Sequence, residues 1–301
     1  MTALLTLGFA SAQNIPASSA LLASFPGARE GFIERDGVRT HYVTVGRGPL
    51  VILIHGHPDF WYGWKNQIPV LARTHTVVAI DQRGINLSDQ PQGVPNYTIN
   101  AVEQDLLALL DTFKVSKASL VGHDTGANLA WNFAAHHPER VDKLVVLSLP
   151  HPTAYVQAIM QDPRQRQASA LSLALAQPGA EQALQPAQIL AIANPVQADR
   201  AAYQEAFART RPDAFVAFFQ ANSSARAATG GTPLPALEPV TVPTLVIHGL
   251  NDPFVLPASF ATTYQFVKAP SALVMIPGAG HFVQRDAAAT VNVLIDDWLR
   301  K

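Results

Sequence analysis

Apolar residues fall along the chain in short runs that end on glycine or polar residues, with helically spaced stretches between them. Leu50–Ile54 is wholly apolar and ends at His55-Gly56. Thr76–Ile80 ends at Asp81, 118–121 at Gly122, and 144–147 near Ser148. Run 244–247 ends at His248-Gly249, and 272–276 at Pro277-Gly278. Short strands of this kind suit a parallel sheet covered on both faces. Ahead of them, 32–34 and 40–45 flank Asp36-Gly37 and predict an opening hairpin. Segment 101–113 puts Val102, Leu106, Leu109, Leu110 and Phe113 on one helical face. Segment 128–136 predicts a helix after Gly126, and 290–299 closes the chain with Val291, Val293, Leu294, Trp298 and Leu299. Alternation of strand and helix predicts an α/β fold, a mostly parallel doubly wound sheet with right-handed crossovers.

The rhythm breaks between residues 150 and 243. This stretch has no strand pattern, is rich in Ala and Gln, and shows helical patches at 200–210 and 214–222, with Gly/Pro punctuation at 230–235. It predicts a helical cap inserted between two sheet strands. The core is then 25–149 and 244–301, and the cap 150–243. Residues 1–24 stand apart as a leader and flexible N-terminus. Met1 to Ala10 is apolar and runs into Ala10-Ser-Ala12, like the apolar region and cleavage site of an export signal, but without the basic residues that usually open one. Two locations stay open, periplasmic or exported if 1–12 is a signal remnant and cytoplasmic otherwise.

Composition narrows the chemistry. The 301 residues carry 21 basic and 22 acidic side chains, a net charge of −1. No basic run is long enough to track a phosphate backbone, so nucleic acid is not an expected partner. The absence of cysteine excludes disulfides, thiolate catalysis and Cys-ligated zinc. No stretch is long and apolar enough to span a bilayer as a helix.

In an open α/β sheet, reactive groups gather at the carboxyl ends of strands. Four features fall there. Gly122-His-Asp-Thr-Gly126 has the small-x-nucleophile-x-small spacing of a nucleophile elbow, with Asp124 at its centre. Taken alone, Asp124 also reads as the N-cap of the next helix. Gly278-Ala-Gly-His281 follows the last strand and can reach back over that elbow. Asn251-Asp252-Pro253 follows 244–247 and can hold the His281 imidazole in one tautomer. The chain order Asp124, Asp252, His281 is nucleophile, acid, base. His55-Gly56-His57-Pro58 can turn the backbone N–H of His57, beside that of Thr125, toward an oxyanion.

Together, His55-Gly-His-Pro-Asp-Phe-Trp-Tyr-Gly-Trp64, Asp81-Gln-Arg-Gly84 with Ser88-Asp89, Gly122-His-Asp-Thr-Gly126 and Gly280-His-Phe282 resemble the epoxide hydrolase-like branch of the α/β-hydrolase superfamily. That branch also holds haloalkane and haloacetate dehalogenases. The resemblance runs from about Gly31 to the end. It implies an α/β-hydrolase fold and attack by Asp124 on an sp³ carbon to give an alkyl-enzyme ester. His281, oriented by Asp252, then activates the water that hydrolyses the ester. It implies a small-molecule substrate with water, and neither metal nor organic cofactor; a cap bearing Leu171, Phe218 and Phe219 suggests that the substrate is apolar. Epoxide hydrolases usually carry two cap tyrosines that donate to the epoxide oxygen. Their positions here hold Leu171 and Phe218-Phe219, which makes these three the expected cap pocket residues. Tyr155 and Tyr203 lie in the cap at other positions, and His57 is the best-placed remaining donor in the sequence. Thr125 replaces the Trp usual in haloalkane dehalogenases and the Arg usual in fluoroacetate dehalogenases. Three readings remain open: an epoxide hydrolase, another hydrolase with the same Asp nucleophile such as a dehalogenase, and a ligand-binding relative without turnover.

Overall fold

The computed structural model describes residues 21–222 and 236–301. The leader at 1–12 and the Gly/Pro stretch at 230–235 lie outside the described residues. The strands are β1 (Arg29–Arg35), β2 (Val38–Val45), β3 (Leu50–Ile54), β4 (Thr76–Ile80), β5 (Ala118–His123), β6 (Val141–Leu147), β7 (Thr244–Gly249) and β8 (Ser271–Ile276). They form one sheet in the order β1-β2-β4-β3-β5-β6-β7-β8. β2 is antiparallel to both neighbours, and the pairs from β4 to β8 are parallel. The β1–β2 turn uses positive φ at Asp36 and Gly37, as the expected hairpin requires.

Helix α1 (Ile99–Thr112) precedes β5, and α2 (Thr125–His136) follows it. Between β6 and β7 the chain leaves the sheet for a helical insert: α3 (Pro152–Gln161), α4 (Pro163–Ala168), α5 (Ala170–Leu175), α6 (Pro186–Ala193), α7 (Arg200–Arg209) and α8 (Pro212–Asn222). Helix α9 (Ala288–Arg300) closes the chain.

Side chains alternate across the sheet with the period of two that a strand imposes. Val51, Leu53, Val121, Val145 and Leu147 enter one core with Val291, Ile295 and Leu299 of α9. Ile52, Ile54, Leu120, Leu144 and Val146 enter the other with Leu106 and Leu109 of α1 and Leu129 and Phe133 of α2. β3 and β5 are buried along their whole length because both faces are covered.

Two boundaries differ from the sequence expectation for a physical reason. α2 starts at Thr125 rather than 128, because Asp124 turns at φ +52° and the helix begins on the next residue. α8 starts at Pro212 rather than 214, since proline suits a first helical turn.

The winding positions the site. β3 has β4 on one side and β5 on the other, so the loops leaving β3 and β5 part at a switch in strand order. A crevice opens there, at the carboxyl edge of the sheet.

Candidate active site

The strand-to-helix turn at Asp124 is tight for steric reasons. A Cβ on Gly126 would sit 2.2 Å from the Ile54 carbonyl oxygen, and one on Gly122 would sit 2.4 Å from the Gly126 oxygen. Glycine at both places lets β3, β5 and α2 meet. Asp124 adopts φ +52° and ψ −117°, a conformation an L-residue pays to hold. Its side chain makes no capping bond to α2. Asp124 Oδ1 instead accepts the His57 backbone N–H at 2.9 Å, and Oδ2 faces His281 Nε2 at 3.4 Å. A Cβ on Gly56 would lie 2.6 Å from Asp124 Cβ, so that glycine keeps space for the carboxylate. Thr125 N–H is the first of α2 and has no partner within the helix.

His281 is held from both ends. Its Nδ1 donates to Asp252 Oδ2 at 2.7 Å. Asp252 Oδ1 accepts the backbone N–H groups of Phe254 and Val255 at 2.8 and 3.0 Å, which fixes the carboxylate plane. The His281 carbonyl accepts from Ser148 Oγ at 2.7 Å and His123 Nε2 at 2.9 Å. Ser148 closes β6, where the sequence has no acid, and there it anchors the histidine loop.

Electrostatics make Asp124 and His281 an ion pair. Burial opposes charge on His281, but Asp252 and Asp124 outweigh it and raise its pKa to about 10. Burial likewise opposes charge on Asp124, but contact with the His281 imidazolium wins and holds the carboxyl well below its usual range. Asp252 is lowered by the same imidazolium against its own burial. Burial pushes His57 and His123 each down to about 3, so both are neutral.

The loops are braced by neighbours. Gln82 N–H donates to His55 Nε2 at 2.9 Å, which leaves the proton on Nδ1, bonded to Gly56 O at 2.7 Å. The Gln82 side chain donates to the His55 carbonyl. Asp81 accepts from Trp61 N, His41 Nδ1 and Asn86 Nδ2 at 3.0, 2.8 and 2.8 Å. Arg83 donates to both oxygens of buried Asp105 at 3.1 and 2.7 Å. These contacts give the Asp81-Gln-Arg segment a structural task next to the site.

A cavity of about 690 Å³ opens over Asp124, His281 and His57. Leu171, Leu175, Phe215, Phe218 and Phe219 of the insert line it, so the three residues expected in the cap pocket do face the site. His57 Nδ1 bonds Thr125 Oγ1 at 2.7 Å, and its ring stacks on Phe218 at 5.7 Å. The Thr125 hydroxyl thus serves the His57 ring. Tyr203 is buried and donates to Asp59 Oδ1 at 2.8 Å, a packing role. Tyr155 behaves differently: it lines the cavity. Sequence reasoning set it aside as off-motif. No local spacing in the sequence singles it out.

A family model described as alpha/beta hydrolase fold matches residues 49–288. Epoxide hydrolase 3 of Xenopus tropicalis is 32% identical over 305 aligned residues, 95% of this chain and 82% of that protein. A crystal structure of Bacillus megaterium epoxide hydrolase in complex with an inhibitor superposes with a TM-score of 0.81 at 26% identity, covering 90% of this chain and 100% of that one. Epoxide hydrolase A from Mycobacterium thermoresistibile gives 0.73 at 27% identity, covering 91% and 98%. The chain belongs to the α/β-hydrolase family. Within it, the chain is a hydrolase of the epoxide hydrolase-like branch.

Proposed function

We propose that the enzyme hydrolyses an apolar epoxide through an ester on Asp124. One observation carries the reading: one oxygen of Asp124 rests on the His57 N–H while the other faces an imidazole clamped by Asp252. Oδ2 attacks the epoxide carbon, and Oδ1 becomes the ester carbonyl oxygen, already seated on a donor. His281 then takes a proton from water, the hydroxide adds to the ester carbon, and His57 and Thr125 N–H groups stabilise the charge on Oδ1. Collapse releases the diol and restores the carboxylate.

The cavity supports an uncharged substrate. Its walls over the carboxylate are Leu171, Leu175, Phe215, Phe218 and Phe219, and among the described residues no Arg or Lys lines it. A haloacid carboxylate would find no Arg or Lys there, and the His281 imidazolium is already paired with Asp124 and Asp252.

A panel of styrene-type epoxides and haloalkanes in ¹⁸O-water tests the reading. Diol should form, and after one turnover the label should sit in Asp124. Halide without diol would favour a dehalogenase, and no turnover with either set would favour a binding protein. Label entering the diol directly while Asp124 stays unlabelled would remove the ester.

A further inference from the structure

Opening an epoxide leaves an alkoxide, a poor leaving group that must be protonated as the carbon–oxygen bond breaks. On the epoxide reading the pocket must supply this proton, and Leu171, Phe218 and Phe219 have none to give. His281 already directs its two nitrogens at carboxylates. His57 does not serve either: its Nε2 is buried from the cavity, with no polar partner among the described residues.

Tyr155 is the remaining phenol on the cavity wall. It stands on α3, half-buried, and its Oη lies 2.9 Å from Ser169 Oγ. The neighbouring network leaves Ser169 able to donate in that bond. Gln165 Oε1 accepts the backbone N–H of Leu256 at 2.8 Å and the Ser259 hydroxyl at 2.6 Å. A backbone N–H can only donate, so the Gln165 amide has one orientation. Its Nε2 then donates to Ser169 Oγ at 2.8 Å and to Phe254 O at 2.8 Å. Having accepted from Gln165, Ser169 is free to donate its own proton to Tyr155 Oη. With Ser169 as the donor, the phenol proton is free to point into the cavity.

We infer that Tyr155 donates the proton to the leaving oxygen, one phenol from the first helix of the insert doing what two phenols at other positions do in epoxide hydrolases. The inference rests on the epoxide reading above. As Asp124 Oδ2 bonds to carbon, the electron pair of the breaking carbon–oxygen bond moves to the epoxide oxygen, which takes the Tyr155 proton. The products are a β-hydroxy ester and a tyrosinate that accepts from Ser169. Burial raises the Tyr155 pKa to about 12, with Ser169 and Ser172 working against that rise and the charges of Asp124 and Asp252 adding to it. The phenol therefore enters the reaction protonated, and the serines ease its ionisation during it.

The test compares two probes that alkylate the same atom. In a His281→Gln background, Asp124 alkylation is followed by rapid quench and peptide mass spectrometry with styrene oxide, which needs a proton, and with benzyl bromide, whose bromide needs none. Adding Tyr155→Phe should slow styrene oxide labelling by about 100-fold or more while benzyl bromide labelling stays within about twofold. Ser169→Ala, which keeps the phenol, should give a smaller loss in the same direction with styrene oxide only. Unchanged styrene oxide labelling in Tyr155→Phe overturns the proposal, and so does an equal loss with both probes, which would mean a packing role. If the parent His281→Gln protein is labelled by benzyl bromide but by no epoxide, the epoxide reading itself fails and takes the proposal with it.

Discussion

Replacing Asp124 by Asn keeps the shape of the side chain and removes its charge, as the ester does. The consequence for His281 can be worked from the structure. Its Nε2 is 3.4 Å from Asp124 Oδ2. Two unit charges at that separation interact by about 5 kcal/mol at an effective dielectric of about 20. At about 1.4 kcal/mol per pH unit, that equals roughly 3.5 pH units of imidazole affinity for its proton. The pKa of His281 stands at about 10 against an ordinary 6.5. In Asp124→Asn it should fall to roughly 6–7, where the remaining attraction of Asp252 is offset by burial.

Imidazole ¹³C and ¹⁵N resonances, followed from pH 5 to 11, measure this directly. His281→Gln identifies the signal among the ten histidines. Mass spectrometry must show that the Asn has not deamidated. A His281 that still titrates above about 9 in the variant would refute the reasoning, since neutralising Asp124 would then fail to free a base. Stability carries the same sign. A folded pKa above the unfolded one adds stability that is complete below about 6.5 and is lost as pH rises through about 10, to a limit of about 5 kcal/mol. Asp124→Asn should flatten that alkaline decline in urea titrations.

Three further outcomes are expected. His281→Gln should accumulate the Asp124 ester, visible as a substrate-sized mass increase on the Asp124 peptide, and rapid release would mean that another base operates. In His281→Gln, ester formation should take up one proton per site from a weakly buffered indicator solution, whereas wild type in excess over epoxide should take up none at that step. Equal uptake would show that His281 is neutral at rest. Gly126→Ala should cost about 3 kcal/mol or more in urea unfolding, because the added carbon would press on two backbone oxygens of the β3 end. Near-wild-type stability there would contradict the steric account of the elbow.

What was legible in the sequence follows from which positions allow few alternatives. β3 and β5 are covered on both faces, so nearly every residue had to be apolar, and the strands stood out. The elbow stood out because Gly122 and Gly126 are sites where a Cβ meets backbone rather than a movable side chain. Asp252 and His281 were legible because strand ends fix their place in the sheet. The start of α2 was misplaced by three residues, since nothing in a non-glycine residue announces a positive φ. Tyr155 was illegible for a deeper reason. It reaches the cavity through packing of α3 against α4, and its hydroxyl meets Ser169, which is held by Gln165, whose own orientation is set by Leu256 and Ser259 some ninety residues later. No local spacing encodes a network of that span.

The proton arithmetic joins the two halves of the site. At rest His281 carries a proton that it must lose before it can act as a base, and the epoxide oxygen lacks the one proton it needs to leave. The separation of 3.4 Å between His281 Nε2 and Asp124 Oδ2 exceeds that of a charge-assisted hydrogen bond, so the pair is Coulombic and Oδ2 keeps a lone pair for attack. On the proposed mechanism, attack would convert Asp124 to a neutral ester, and the charge that holds the His281 proton would disappear in that step. The tyrosinate proposed at Tyr155 would then be the strongest base in the cavity, and the acidified imidazolium the strongest acid. Proton transfer between them would restore the phenol and deliver a neutral His281 beside the ester it must help to hydrolyse. The base would thereby become available only after the nucleophile has been used, so on this mechanism the charge on Asp124 sets the order of the two chemical steps.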